Sequence, residues 1–334
     1  MSSIYYNLEG FTGSLPNGIA SPACGDHRVS AARLVWAATT IGITPFGPRL
    51  QAGRALEIQW RAAMIRASIQ LGPRYSQRSP RYARLDPSEK GAVSFFLGQA
   101  QAKLFAHDFF RVSRFVHYDA YLAHHGHPRR RTRPDFIGFF GRSVAIAVEA
   151  KGRSLGFDRT LVANAKKQAG SLPVIKGHPT PATYVHVAYF YGDQWRAHLE
   201  DPPPRRNVQT VDPAHLTLLY YLPIVNAIRA RGPELRGLEE ADGSYLQAYF
   251  AEVDIRLSVR ADIAELVPTD DIVALEDSRD AEAAGASSLY SLALELDSDG
   301  QDRLAYTPGQ GDGRRFLGGD GVAVELGPSW TDWA

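Results

Sequence analysis

An apolar run that ends in charge constrains this chain more than any other feature. Residues 144–151 read VAIAVEAK, a segment with the character of a buried strand that closes on Glu149 and Lys151. Alternation along a strand puts these two on one face, beside the small Ala145 and Ala147. Charges are rarely buried without a partner or a metal. Just upstream, DFIGFF (135–140) reads as a second strand, and Gly141-Arg142-Ser143 can turn the two into a hairpin. A three-residue loop sets Asp135 opposite Glu149. A two-residue loop shifts the pairing by one and moves Asp135 to the other face.

With the first register, two carboxylates and an amine converge at one strand end. Carboxylates at close range repel each other unless a cation lies between them. Oxygen ligands with room for water suit Mg²⁺, or Mn²⁺ in its place, rather than zinc. Such an ion lowers the pKa of a bound water and polarises a phosphoryl oxygen. Lys151 can orient the attacking water or offset charge on the phosphorane. These parts hydrolyse phosphodiesters.

Pro134-Asp135, thirteen residues, then Glu149-Ala150-Lys151 resembles the signature of the PD-(D/E)xK nuclease superfamily. The resemblance covers roughly residues 86–191. It implies a restriction-endonuclease-like α/β core of order αβββαβ, with a central mixed sheet flanked by helices. It also implies metal-dependent cleavage of nucleic acid, DNA rather than RNA, in bacterial defence or DNA processing. Asp135 and Glu149 would be the metal ligands and Lys151 the residue assisting the nucleophile. Many members place a Gln or Lys on the following helix near the site, which here points to Gln168. A further acidic ligand often lies on the first helix, which points to Glu89.

The expected elements follow the apolar spacing. Helical patterns run through residues 27–40 and 49–71. A third helix begins with Asp86 as N-cap, Pro87 at the first position and Glu89 three residues after the cap, so Glu89 is also a capping-box residue. Strands are expected at 114–122, 135–140 and 144–151, a helix at 159–171 and a strand at 183–191. The sequence EDPPPRR (200–206) reads as a linker, since three prolines cannot sit inside a helix or sheet. Beyond it come a helix near 213–231, an alternating strand near 251–260, and short strands around the turns of LDSDGQDRLAY and FLGGDGVAVELG. The chain thus divides into a basic, mainly helical region 1–85, a core 86–200, and an α+β region 201–334 whose motifs point to no chemistry.

Charge marks the same division. Residues 1–200 hold 26 Lys+Arg against 12 Asp+Glu, and residues 201–334 hold 11 against 24. A basic two-thirds suggests a polyanionic partner. The acidic third is expected to face a basic surface in the same chain, in a second copy or in a partner protein. Arg74, Arg78 and Arg81, with Tyr75 and Tyr82 between them, form one candidate nucleic-acid contact. Arg129, Arg130, Arg131 and Arg133 lead into Asp135 and form another, with Arg153 just past Lys151. The histidines of AHHGHPRRRTR lack the spacing of a zinc site.

The single cysteine, Cys24, excludes an internal disulfide and a cysteine-based zinc knuckle. The amino terminus lacks the features of a signal peptide, no apolar run suits a membrane span, and a cytoplasmic protein is expected. There is no P-loop, dinucleotide fingerprint or nucleophile elbow. Two other readings fit the same residues. One is a nucleic-acid-binding module that keeps the fold without catalysis. The other is a structural protein in which Glu149 and Lys151 form a buried ion pair.

Overall fold

The computed structural model describes residues 1–11, 23–42, 51–124, 133–140, 144–169, 174–175, 182–201, 210–238, 241–268, 279–303 and 313–333. From the amino end come β1 (Ser2–Glu9), β2 (Cys24–Val29), α1 (Ala31–Thr40), α2 (Gln51–Ser68), β3 (Ile69–Leu71), β4 (Ser76–Arg78) and α3 (Pro80–Arg84). The middle holds α4 (Pro87–Phe110), β5 (Arg114–His117), α5 (Tyr118–His124), β6 (Phe136–Phe140), β7 (Val144–Gly152), α6 (Arg159–Ala169), β8 (Val174–Ile175), β9 (Ala182–Tyr191) and β10 (Gln194–Glu200). Then follow β11 (Thr210–Val211), α7 (Pro213–Arg229), β12 (Glu234–Leu238), β13 (Ala241–Phe250), β14 (Ile255–Arg260) and α8 (Ala261–Leu266). The chain continues with α9 (Arg279–Arg303), β15 (Arg315–Leu317), β16 (Val322–Leu326) and a 3-10 turn, Pro328–Trp333.

The main sheet has the order β2-β1-β10-β9-β7-β6-β5. β7 runs parallel to β9 and β1 parallel to β10, while β5, β6 and β7 form an antiparallel meander, so the sheet is mixed. Helices flank it, and the protein is α/β. The region 1–85, expected to be mainly helical, also supplies β1 and β2 to this sheet. In β1, Ile4 and Tyr6 alternate inward, a period-two pattern.

Helix α4 starts where its capping residues dictate. Asp86 accepts from Ser88 N (2.7 Å) and Glu89 N (3.1 Å), and the Glu89 carboxylate accepts from Asp86 N at 3.2 Å. The helix lies against β7 and β9, and glycine permits the approach. A Cβ on Gly152 would stand 1.6 Å from the Ser94 carbonyl oxygen, and one on Gly98 would stand 2.7 Å from Gly152 N. On the opposite face, Val162, Ala165 and Ala169 of α6 pack on Val185, Val187 and Tyr189 of β9.

Several elements differ from the sequence expectation. Residues 24–29 are a strand, and the helix expected from residue 27 begins at Ala31, where Ser30 caps it. The helix expected to reach residue 71 ends at Ser68, and Ile69–Leu71 pair with β4. The strand expected over 114–122 stops at His117 and becomes α5, in which Tyr118, Tyr121 and Leu122 are buried at helical spacing. The strand expected from residue 251 begins at Ile255. The stretch expected to turn between strands near residues 296–303 continues α9, because Ala286, Leu289 and Ala293 form an apolar stripe that docks the helix on α7.

The carboxy-terminal third packs on the core. Helix α7 lies against α2, α5 and β5, and α1 contacts β15 and β16. A second, antiparallel sheet of order β12-β13-β14-β16-β15 sits beside α7 and α8. One hydrophobic cluster contains residues of all three regions, among them Ile4, Phe105 and Val259. Most of the linker expected at 200–206 lies outside the described residues.

Candidate metal centre

The β6–β7 hairpin has the register that brings the charges together. Phe140 pairs with Val144 and Phe136 with Val148, so the next step sets Asp135 across from Glu149. Pairing of β7 with β9 aligns Glu149 with Val185 and Lys151 with Val187, the β9 residues beneath α6. Glu149 and Lys151 therefore face the α6 side, while Ala150 and Gly152 face α4.

Asp135 is fixed from behind, its Oδ2 accepting the Ala150 N–H at 3.0 Å. The Lys151 ammonium donates to Glu149 Oε1 and stands 3.9 Å from Asp135 Oδ2. Glu149 is fully buried, and its Oε2 finds no hydrogen-bond partner among the described residues. Burial, and then the neighbouring Asp135 charge, push the Glu149 carboxyl up to about 8, against the pull of Lys151. Burial also raises Asp135 above the ordinary carboxylate range. Both shifts come first from burial, and the repulsion between the two carboxylates adds to that of Glu149.

That donor set fits a divalent ion. The buried, unpartnered Glu149 oxygen is an acceptor that folding leaves unsatisfied, and Asp135 supplies a second carboxylate at the same strand end. With oxygen donors only, the pair suits Mg²⁺ or Mn²⁺.

The other candidates divide. Gln168 is half-buried on the α6 flank opposite Lys166; since Lys166 pairs with Glu200 on β10, that flank turns toward β7. Glu89 is exposed and bound into its own capping box, so it is not brought to the Asp135–Glu149 pair. Arg133 forms a bidentate pair with Asp119 and is near enough to feel Asp135 and Glu149. Arg153 turns back to the Gly156 carbonyl (3.0 Å) and Asp158 (3.1 Å). Arg74 lies over the Tyr75 ring, Arg78 is held by Asp193 at 2.6 Å, and Arg81 is exposed. Arg129, Arg130 and Arg131 lie outside the described residues.

Sequence reasoning missed two features. Asp119, at the start of α5, adds a third carboxylate whose charge raises Asp135. Reading residues 118–122 as strand hid it. Glu9, His198 and Glu200 also offer ligand atoms within 4.8 Å of one another. They come from β1 and β10, distant in sequence, so no local motif announces them. Arg159 pairs with Glu9 and Lys166 with Glu200, so this group is an ion-pair network with its charge already met.

No family model, curated protein or solved structure matches the chain. Among the described residues, no helix is long and apolar enough to cross a membrane.

Proposed function

We propose that the chain is a metal-dependent nuclease of the PD-(D/E)xK type, cleaving phosphodiester bonds of nucleic acid, DNA in preference to RNA. One observation carries this reading. At a single strand end, a fully buried glutamate with an unpartnered oxygen meets an aspartate and a lysine. The order α4, β5, β6, β7, α6, β9, with β7 parallel to β9, supports a restriction-endonuclease-like core interrupted by α5 and by the short β8.

Asp135 and Glu149 would hold Mg²⁺, with Mn²⁺ as a substitute. The bound ion supplies Lewis acidity and a water of lowered pKa. The protein's own groups do the rest. The Ala150 N–H fixes Asp135, and the close contact of Gly152 with α4 anchors the end of β7. Lys151 can only donate, so its part is to orient the attacking water or offset charge on the phosphorane. Arg133, held by Asp119, adds a cation where the substrate backbone would pass.

The bond between Lys151 and Glu149 favours a second reading, a purely structural ion pair. A cleavage assay separates the two. Wild type and Lys151→Ala are incubated with supercoiled plasmid, linear DNA and RNA, in Mg²⁺, Mn²⁺ or EDTA. Metal-dependent cutting of DNA by wild type alone is the expected result. Absence of cutting and of DNA binding, with Lys151→Ala unfolded, would overturn it in favour of the ion pair.

A further inference from the structure

Helices α2 and α4 present a connected group of exposed rings. Trp60 on α2 meets Phe96 on α4 edge-on, with centroids 4.5 Å apart, and Phe96 meets Phe95 at 5.2 Å. Trp60 is 45% exposed and Phe95 42%, while Leu56, one turn before Trp60, is 60% exposed. Single apolar residues on a surface need no explanation, whereas a contiguous apolar patch marks a contact. Phe96 holds the group in place. It packs on the core, and the Arg61 guanidinium lies 5.7 Å from its ring. That guanidinium is itself fixed by the carbonyls of Ile41 (2.7 Å) and Gly42 (3.1 Å).

Position and charge say what covers the patch. A Cβ on Gly152, the residue after Lys151, would stand 3.0 Å from Phe95 N. The rings therefore border the strand end that carries Asp135, Glu149 and Lys151, on the α4 side where those charges are on the α6 side. Tyr82 of α3 bonds Ser94 at 2.6 Å, which sets α3 against the residue before Phe95. Arg81 and Arg84 of α3 are exposed, and neither pairs with a carboxylate among the described residues. Glu57, the acidic residue of α2, is paired with Arg61. Rings beside exposed cations suit a single strand, whose phosphates take the cations and whose bases each offer a face to a ring.

We propose that Trp60 and Phe95 stack unpaired bases of the DNA that reaches Lys151, so that single strands and unpaired flanks are preferred to closed duplex. The inference rests on the nucleic-acid substrate proposed above and adds which form of it is bound. In a closed duplex the base faces are stacked on one another and do not reach the rings.

Intrinsic fluorescence of the full chain in EDTA tests it apart from cleavage. Of the five tryptophans, Trp36, Trp195, Trp330 and Trp333 are buried, so a ligand that stacks on the surface quenches Trp60. A short oligothymidylate should quench the emission saturably. The same strand paired with oligodeoxyadenylate, and inorganic polyphosphate, should not. By anisotropy of a labelled strand, Trp60→Leu and Phe95→Leu should each bind about tenfold more weakly, Trp60→Phe close to wild type, and Lys151→Ala as wild type. The proposal is overturned if the strand does not quench, if polyphosphate quenches equally, or if both folded leucine variants bind as wild type does. Emission that changes on dilution as a dimer dissociates, with no quenching by the strand, would also overturn it and assign the patch to a second copy. Metal-dependent cleavage without quenching sinks the stacking surface alone. Quenching without cleavage keeps that surface and sinks the nuclease.

Discussion

Lys103 on α4 and Asp320 in the turn before β16 face each other 3.8 Å apart with no exposure to solvent. The Lys103 ammonium donates to Thr40 and to Tyr220 (2.6 Å), and lies 4.4 Å from the Trp36 ring. Asp320 accepts from Tyr220, from Trp36 Nε1 (3.3 Å) and from Val322 N (3.1 Å). The network ties α1, α4 and α7 to the last strand pair, so the carboxy-terminal third belongs to the folding unit of the core.

Removing one partner of a buried pair leaves an uncompensated charge and costs about 3–5 kcal/mol. Asp320→Ala is expected to lose stability on that scale in urea unfolding. A chain cut at residue 204 also loses α7, which packs on α2 and β5, and should show no cooperative unfolding transition. A truncated protein that unfolds cooperatively would show the third to be dispensable.

The charges at the end of β7 should separate stability from activity. Glu149 is buried, carries an unpartnered oxygen and has its carboxyl pushed up to about 8. Glu149→Gln replaces that group with a neutral amide of equal shape. The variant should therefore fold at least as stably as wild type while metal-dependent cleavage falls by a hundredfold or more. Thermal unfolding beside the plasmid assay checks both. A strongly destabilised Glu149→Gln protein would mark the residue as a structural partner of Lys151.

The hairpin was legible because strand period and loop length leave few registers. Asp135 opposite Glu149 follows from a three-residue turn, and the Asp86–Glu89 cap from local chemistry alone. Other features depend on partners distant in sequence. Tyr118, Tyr121 and Leu122 suit a strand as well as a helix, and packing against α7 decides for the helix. The sign change in charge near residue 201 describes the surface, whereas the core beneath it runs on through Lys103 and Asp320.

Gly152 should tolerate no side chain. Its missing Cβ is what lets α4 rest on β7, and an added methyl would overlap the Ser94 carbonyl. Backbone cannot swing aside as a side-chain tip can. Gly152→Ala should cost about 3 kcal/mol, the upper end of the usual overpacking penalty. Because the strain falls next to Lys151, cleavage should drop as well. Denaturant unfolding of Gly152→Ala against Gly91→Ala, where an added Cβ meets nothing within 4 Å, gives the comparison. Equal stabilities would refute the close contact.

His186 should make the protein sensitive to acid. It is fully buried on the α4 side of β9, with Nε2 paired to Gln101 Oε1 at 2.9 Å. Burial, and then the His198 charge, lower its pKa to about 3. The unfolded chain takes up this proton near pH 6.5 and the folded chain does not. Its contribution is thus fully present above pH 6.5 and fades as the pH falls toward about 3, by ~1.4 kcal/mol per pH unit. His186→Gln keeps an amide donor for Gln101 and has no proton to gain. Unfolding free energies between pH 6.5 and 5 should therefore fall less steeply for the variant, by the equivalent of one proton. Parallel slopes would mean that His186 is protonated in the folded protein.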